Sequence, residues 1–223
     1  MNYLVFLVQQ INWVITLPIL VSSISLLVSF YTLWKIHLSP FKLLISFGDP
    51  TLKTYKVTPQ ISGGKSTWFI PSIDIPFTFI NSGAKSGKII NLRMKFFSKK
   101  RGINKTSEYE EIFEARWCVK YSDYNSKQND RFLWLKESIE NEWYPFYVLK
   151  DKPENKHIIL ESSRWDKFPN GNFNISLELL TEESNMWKKL KNYNFDLGKF
   201  EESQLKHGSS FCLPCNDITK QKL

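Results

Sequence analysis

The sequence predicts a mainly β protein, an antiparallel β-sandwich preceded by one N-terminal transmembrane α-helix. Three observations carry that expectation. No Asp, Glu, Lys or Arg occurs between Met1 and Trp34. Apolar and polar residues then alternate in short stretches from Phe41 to Leu197, and no long amphipathic helical pattern interrupts them. With 42% hydrophobic and 15% aromatic residues there is enough apolar material for a packed core. The 223 residues suit one medium domain with an appendage. The expected division is a transmembrane anchor over 1–37, a β-sandwich domain over 38–200 and a polar C-terminal tail over 201–223.

The span Leu4–Trp34 exceeds the roughly 18–20 uncharged residues that a transmembrane helix needs. Trp13 and Trp34 stand 21 positions apart, and at about 1.5 Å per residue that separation matches the ~30 Å hydrocarbon thickness. Indole and phenol rings favour the water–lipid boundary, so Trp13 forms one belt, Tyr31 and Trp34 the other, with Lys35 just beyond. Pro18 removes one helical hydrogen bond early in the span. Ser22, Ser23, Ser25 and Ser29 are small enough to admit a second helix, although bonding to their own helix is the commoner use. A removable signal peptide fits poorly. "MNYLVF" has no basic residue, the apolar run outlasts the usual ~7–15 residues, and "SFYTLWKIH" offers no small-x-small cleavage site. Lys35, Lys42 and Lys53 follow the span and no basic side chain precedes it, which predicts a single-pass membrane protein with its soluble domain facing the cytoplasm.

Pro40 ends any helical continuation. Leu43, Ile45 and Phe47, led by Phe41, alternate into a strand closed by Gly48-Asp49-Pro50, and Tyr55 with Val57 marks a second. "TPQISGGKST" is a loop by composition. Ile73, Ile75, Phe77 and Phe79 point one way, with Asp74, Pro76 and Thr78 opposite. Pro76, lacking a ladder donor, predicts an edge strand or a bulge. Asn81-Ser82-Gly83 and Gly87 supply the turn, and Ile90, Leu92, Met94 and Phe96 return on a face opposite Asn91, Arg93 and Lys95. Further strands are expected at Trp117–Tyr121, Phe132–Trp134, Phe146–Val148, "HIILESS", Phe173–Leu179 and Tyr193–Leu197. "TEESNMWKKLK" is expected to be a long hairpin loop or one helical turn. From about Glu201 the periodicity is lost, and a polar tail packed in part through Phe211 is expected.

Seven to nine strands with regular turn signals argue an antiparallel sandwich. The order "FTFINSGAKSGKIINLRMKFF", "WYPFYVLKDKPENKHIILES", "GNFNISLELL" resembles that of immunoglobulin-like sandwiches in bacterial surface and membrane-anchored proteins. There an N-x-G corner joins two core strands and a Gly-led alternating strand comes near the end. The resemblance spans about residues 40–200 and lacks the Cys…Trp…Cys framework of antibody domains. It implies an immunoglobulin-like β-sandwich used as a binding or spacer module, with no catalytic residues and no cofactor.

Chemistry-bearing motifs are few. "SGGKST" at 62–67 lacks the phosphate-loop pattern, since Pro59 occupies the first glycine position. "GAKSGKI" fails likewise, with Ser82 at that position. Cys212 and Cys215 form the one C-x-x-C, with His207 upstream and Cys118 as a distant fourth donor. One such pair with a single nearby histidine is a weak zinc pattern, and tail thiols are the plainer reading. His37 and His157 have no nucleophile that sequence can place beside them. Glu110, Glu111 and Glu114 read as a charged surface run.

The basic run of Arg93, Lys95, Lys99, Lys100, Arg101 and Lys105 contains no acid. Its plainest reading is a solvated hairpin tip offset by Glu108, Glu110 and Glu111. If it shares an end with the helix, together with Lys188, Lys189 and Lys191, it would touch anionic lipid at about 1 kcal/mol per residue. Nucleic acid ranks last, for want of interleaved stacking aromatics. The expectation is a non-catalytic membrane-surface interaction or structural module, with membrane lipid and a protein partner or second copy as its contacts. The alternative is a membrane effector sensing an anionic ligand through its domain, its helices assembling.

Overall fold

The computed structural model describes residues 2–57, 68–101, 106–119 and 139–213. An apolar helix, α1 (Asn2–Leu33), runs on through Pro18 and ends in a π-helical turn, Trp34–Leu38. Over Ile15–Leu38 it is long and apolar enough to cross a membrane, and none of that stretch is buried against the rest of the chain. Trp13, Tyr31, Trp34 and Lys35 are all exposed. Ser23 and Thr32 spend their hydroxyls on the carbonyls of Ile19 and Val28, one turn back. Ser39 stops the turn by donating its N–H to Trp34 O and its hydroxyl to Lys35 O. Its extended ψ of 137° is what a residue before proline adopts.

The β elements are β1 (Leu43–Phe47), β2 (Thr51–Val57), β3 (Trp68–Asn81), β4 (Gly87–Arg101), β5 (Thr106–Val119), β6 (Ile139–Glu142), β7 (Phe146–Val148), β8 (Glu154–Glu161), β9 (Gly171–Thr181), β10 (Trp187–Leu197) and β11 (Phe211–Cys212). A short helix, α2 (Lys199–Lys206), lies between the last two. All eleven strands belong to one hydrogen-bonded sheet, ordered β10-β9-β4-β5-β8-β3-β2-β11, with β1 on β3, β6 on β5 and β7 on β4. Each pair of these strands is antiparallel, and the sheet curls into a half-barrel. Two facing sheets of immunoglobulin type are therefore not what the pairing gives: strong curl lets one sheet enclose its own core.

Ile73, Ile75, Phe77 and Phe79 line the concave side as the alternation predicts, with Leu92, Met94, Phe96, Phe173, Ile175, Leu177, Leu179, Tyr193, Phe195 and Leu197. Ile89 joins them in place of Ile90, because a bulge between Ile89 and Asn91 shifts the ladder with β9. In β8 the four residues His157–Leu160 are all buried. Ile158 and Leu160 face the main core, and Ile159 packs with Tyr55, Val119, Ile70, Trp117 and Ile139 in a second cluster on the convex side.

Pro76 sits neither at an edge nor at a bulge. Strand β3 is central, flanked by β8 and, on its other side, by β2 for Trp68–Asp74 and β1 for Phe77–Asn81. Pro76 O accepts from Gly48 N–H at 3.0 Å, so its ring nitrogen faces the corner where β1 hands over to β2. No carbonyl of a paired strand stands there to miss a donor.

Beyond Glu201 the chain is ordered into a helix and a strand as far as residue 213, with Phe211 packed as expected and more of the segment joining it. Gly198 N–H bonds Glu201 Oε2 and starts α2, and Thr54 Oγ1 donates to Leu205 O. β11 adds to the outer edge of β2, Phe211 meets Phe195 at 6.1 Å, and Leu205 and Leu213 are fully buried. These residues cover the gap between β10 and β2 over the half of the barrel farther from α1. "TEESNMWKKLK" forms a tight turn, with β10 beginning at Trp187.

Candidate functional site

The end of the half-barrel nearest α1, its base, is tied together by Asn81. Its side chain is fully buried and accepts from Gly83 N–H (2.8 Å) and Lys42 N–H (3.4 Å) while donating to Lys85 O (2.8 Å) and Val148 O (3.3 Å). All four hydrogen-bonding positions of the amide are thus filled. Around it, Ser82 N–H reaches Lys42 O, the Ala84 and Lys85 N–H groups reach Ser39 O, and Lys150 Nζ reaches Ile36 O. Gly83 is required for this closeness, since a Cβ there would lie 1.9 Å from Pro40 O. The connection from α1, the β3–β4 turn and the β7–β8 connection are therefore one fixed unit.

The base carries Lys42, Lys85, Lys150, Lys152, Lys188 and Lys189, all exposed, against Asp151, Glu154, Glu182 and Glu183. Leu149, Met186 and Tyr147 are exposed at the same end, Met186 by 73%. Lys191 stands apart from this group, half-buried over the rings of Phe47 (5.6 Å) and Tyr193 (5.7 Å).

The basic run has a different fate. β4 starts at the base, where Gly87 packs under the Phe41 ring, and runs away from it. Twelve residue steps separate Gly87 from Lys99, about 40 Å along the strand. Lys99, Lys100 and Arg101 pair in register with Glu108, Ser107 and Thr106, at the end opposite α1. Arg93 and Lys95 are engaged within the sheet, Arg93 with Glu178 at 2.8 Å and over the Trp187 ring at 3.8 Å, Lys95 with Glu110 at 2.7 Å. Lys105 and the 62–67 loop lie outside the described residues, as do Tyr121 and the Phe132–Trp134 stretch.

Among the described residues the weak zinc pattern is not brought together. His207 Nδ1 meets Ser203 O at 2.7 Å, Cys212 is paired to Thr51 on β2, and Cys215 lies outside the described residues. Cys118 on β5 is three strand spacings from β2, about 14 Å. Burial also pushes its thiol up, away from the thiolate a metal needs. Among the described residues no three His, Cys, Asp or Glu side chains gather to hold a metal.

Three polar groupings escape sequence reading. Glu111 is not on the surface: it points into the core from β5, taking hydrogen bonds from the Tyr109 and Ser162 hydroxyls and from Trp165 Nε1 at 2.8 Å to both oxygens. Burial and that carboxylate push the Tyr109 phenol well above its ordinary range. On the convex side Asp74 bonds His157 Nε2 and takes Lys53 Nζ at 3.3 Å. Beside the second cluster lies an open cleft of about 590 Å³ containing Trp68, Ile112, Glu114, Arg116, Glu161 and Arg164. Glu114 and Glu161 are direct cross-strand partners. Burial raises the Glu161 carboxyl, against the lowering pull of the Trp117 indole and the Arg116 charge. A raised carboxyl costs stability only where it is ionised. Glu161→Gln is therefore expected to raise the thermal midpoint at pH 7.5, a gain that fades as pH falls toward the ordinary carboxyl range. Paired thermal melts at pH 7.5 and 4 check the sign.

Comparison with protein families, curated proteins and solved structures finds no match.

Proposed function

We propose that this chain is a non-catalytic, single-pass membrane-anchored β protein acting as an interaction or structural module at a membrane surface. In this reading α1 and its π-helical turn cross the bilayer with Trp13 and Trp34 at the two boundaries. The base lies on the headgroups, where each lysine close to an anionic leaflet contributes about 1 kcal/mol. Basic residues after the span favour a domain on the cytoplasmic side. The hairpin tip at Lys99–Arg101 is presented to an acidic partner in water. The course of β4, which begins under Phe41 at the base and ends in the basic tip, is the observation that supports this division of labour.

The test uses the full-length chain in phosphatidylglycerol-containing vesicles, with Cys212 and Cys215 replaced by Ser and one fluorophore placed through Met186→Cys or Lys100→Cys. A quencher attached to lipid is expected to dim the label at 186 and leave that at 100 bright. Quenching at 100, or release of the protein by alkaline carbonate, would overturn the reading.

A further inference from the structure

The half-barrel is closed unevenly. Away from the helix, α2 and β11 cover the gap between β10 and β2. Toward the base nothing equivalent among the described residues covers the gap between β10 and β1, and a groove of about 570 Å³ remains, within the ~300–1,000 Å³ usual for ligand sites. Phe41, Leu43, Ile45, Leu179 and Leu190 make its walls, the first three and Leu190 only partly buried although they belong to the core's margin. Thr181, Ser184 and Glu183 sit at its lower end with Lys42 and Lys188, and neither lysine has an ion pair among the described residues. The mouth opens beside Phe41, three residues after the end of the apolar helix.

We infer that this groove holds one acyl chain of an anionic membrane phospholipid, with the phosphate between Lys42 and Lys188. The inference rests on the reading that α1 spans a bilayer. Position and charge both point to that occupant. An apolar slot continuous with a lipid-facing helix is reached by a tail bending up from the leaflet without crossing water. Two ammonium groups at the mouth, without an ion pair among the described residues, outweigh the single Glu183 and match an anionic headgroup. Lys191, over Phe47 and Tyr193, marks its upper limit.

Full-length protein in phosphatidylglycerol vesicles is irradiated with a phosphatidylglycerol probe carrying a diazirine on its acyl chain. Label is expected on residues 41–47 and 187–191 as well as on 15–38. Leu190→Trp, which fills the slot, and the exposed pair Lys42→Glu/Lys188→Glu are each expected to cut groove labelling about tenfold and leave helix labelling unchanged. The charge pair keeps the test sound should Leu190→Trp misfold. Label confined to the helix would overturn the groove while sparing the anchor. Equal groove labelling by a phosphatidylcholine probe would overturn the anionic class. Loss of all labelling together with carbonate release would bring down the membrane reading itself.

Discussion

Glu111→Ala is expected to destabilise the protein by about 3–5 kcal/mol, because it leaves three donors without their shared acceptor. The carboxylate is the shared acceptor for Tyr109, Ser162 and Trp165, and no cation accompanies it among the described residues. Removing it strands three donors in a core position, each costing on the order of 1–3 kcal/mol unless water enters. It also frees the 162–168 segment, which Trp165 and Phe168 pin over Phe69 at the end of the barrel away from α1. Glu111→Gln keeps an acceptor of the same size, and about half the loss is expected. Denaturant unfolding followed by tryptophan fluorescence reads both. A Glu111→Ala midpoint within about 1 kcal/mol of wild type would show that the donors find other partners.

Asn81→Ala is the second large effect, about 3 kcal/mol, and its character differs. Four groups from three chain segments lose their partner at once: Lys42 N, Gly83 N, Lys85 O and Val148 O. The damage should concentrate where the sheet meets α1, so hydrogen exchange is expected to speed at Ser82–Lys85 and Leu43 while the β9–β10 ladder stays protected. Uniform acceleration would mean that Asn81 supports the whole sheet and not the base alone.

Much of the sheet was legible because one-sided burial writes itself into period two. Phe173–Leu179 on β9 and Ile73–Phe79 on β3 are spaced as the core demands. Pairing order was not legible, since alternation says which face a residue takes and nothing about its neighbour strand. That is why one curled sheet looked like two. The Ile89 shift followed from a bulge, which leaves no composition signal, and α2 was missed because eight mostly polar residues bury only Leu205. At the site, the lysines of the base came from four separate segments, so no run announced them. Glu111 looked like surface charge beside Glu110, yet alternation placed it in phase with Phe113, and that phase was the available clue.

Residues 199–213 complete this fold. β11 and α2 lie on β2, so Cys212 meets Thr51 across 161 positions of chain. During synthesis the apolar flank between β10 and β2 stays uncovered until residue 213 has left the ribosome, long after α1 has emerged. A nascent or prematurely stopped chain ending before Lys199 thus displays Phe195, Leu197 and Leu52 to its surroundings. Such a product is expected to aggregate or be cleared by quality-control proteases, so an expressed chain needs residues 199–213.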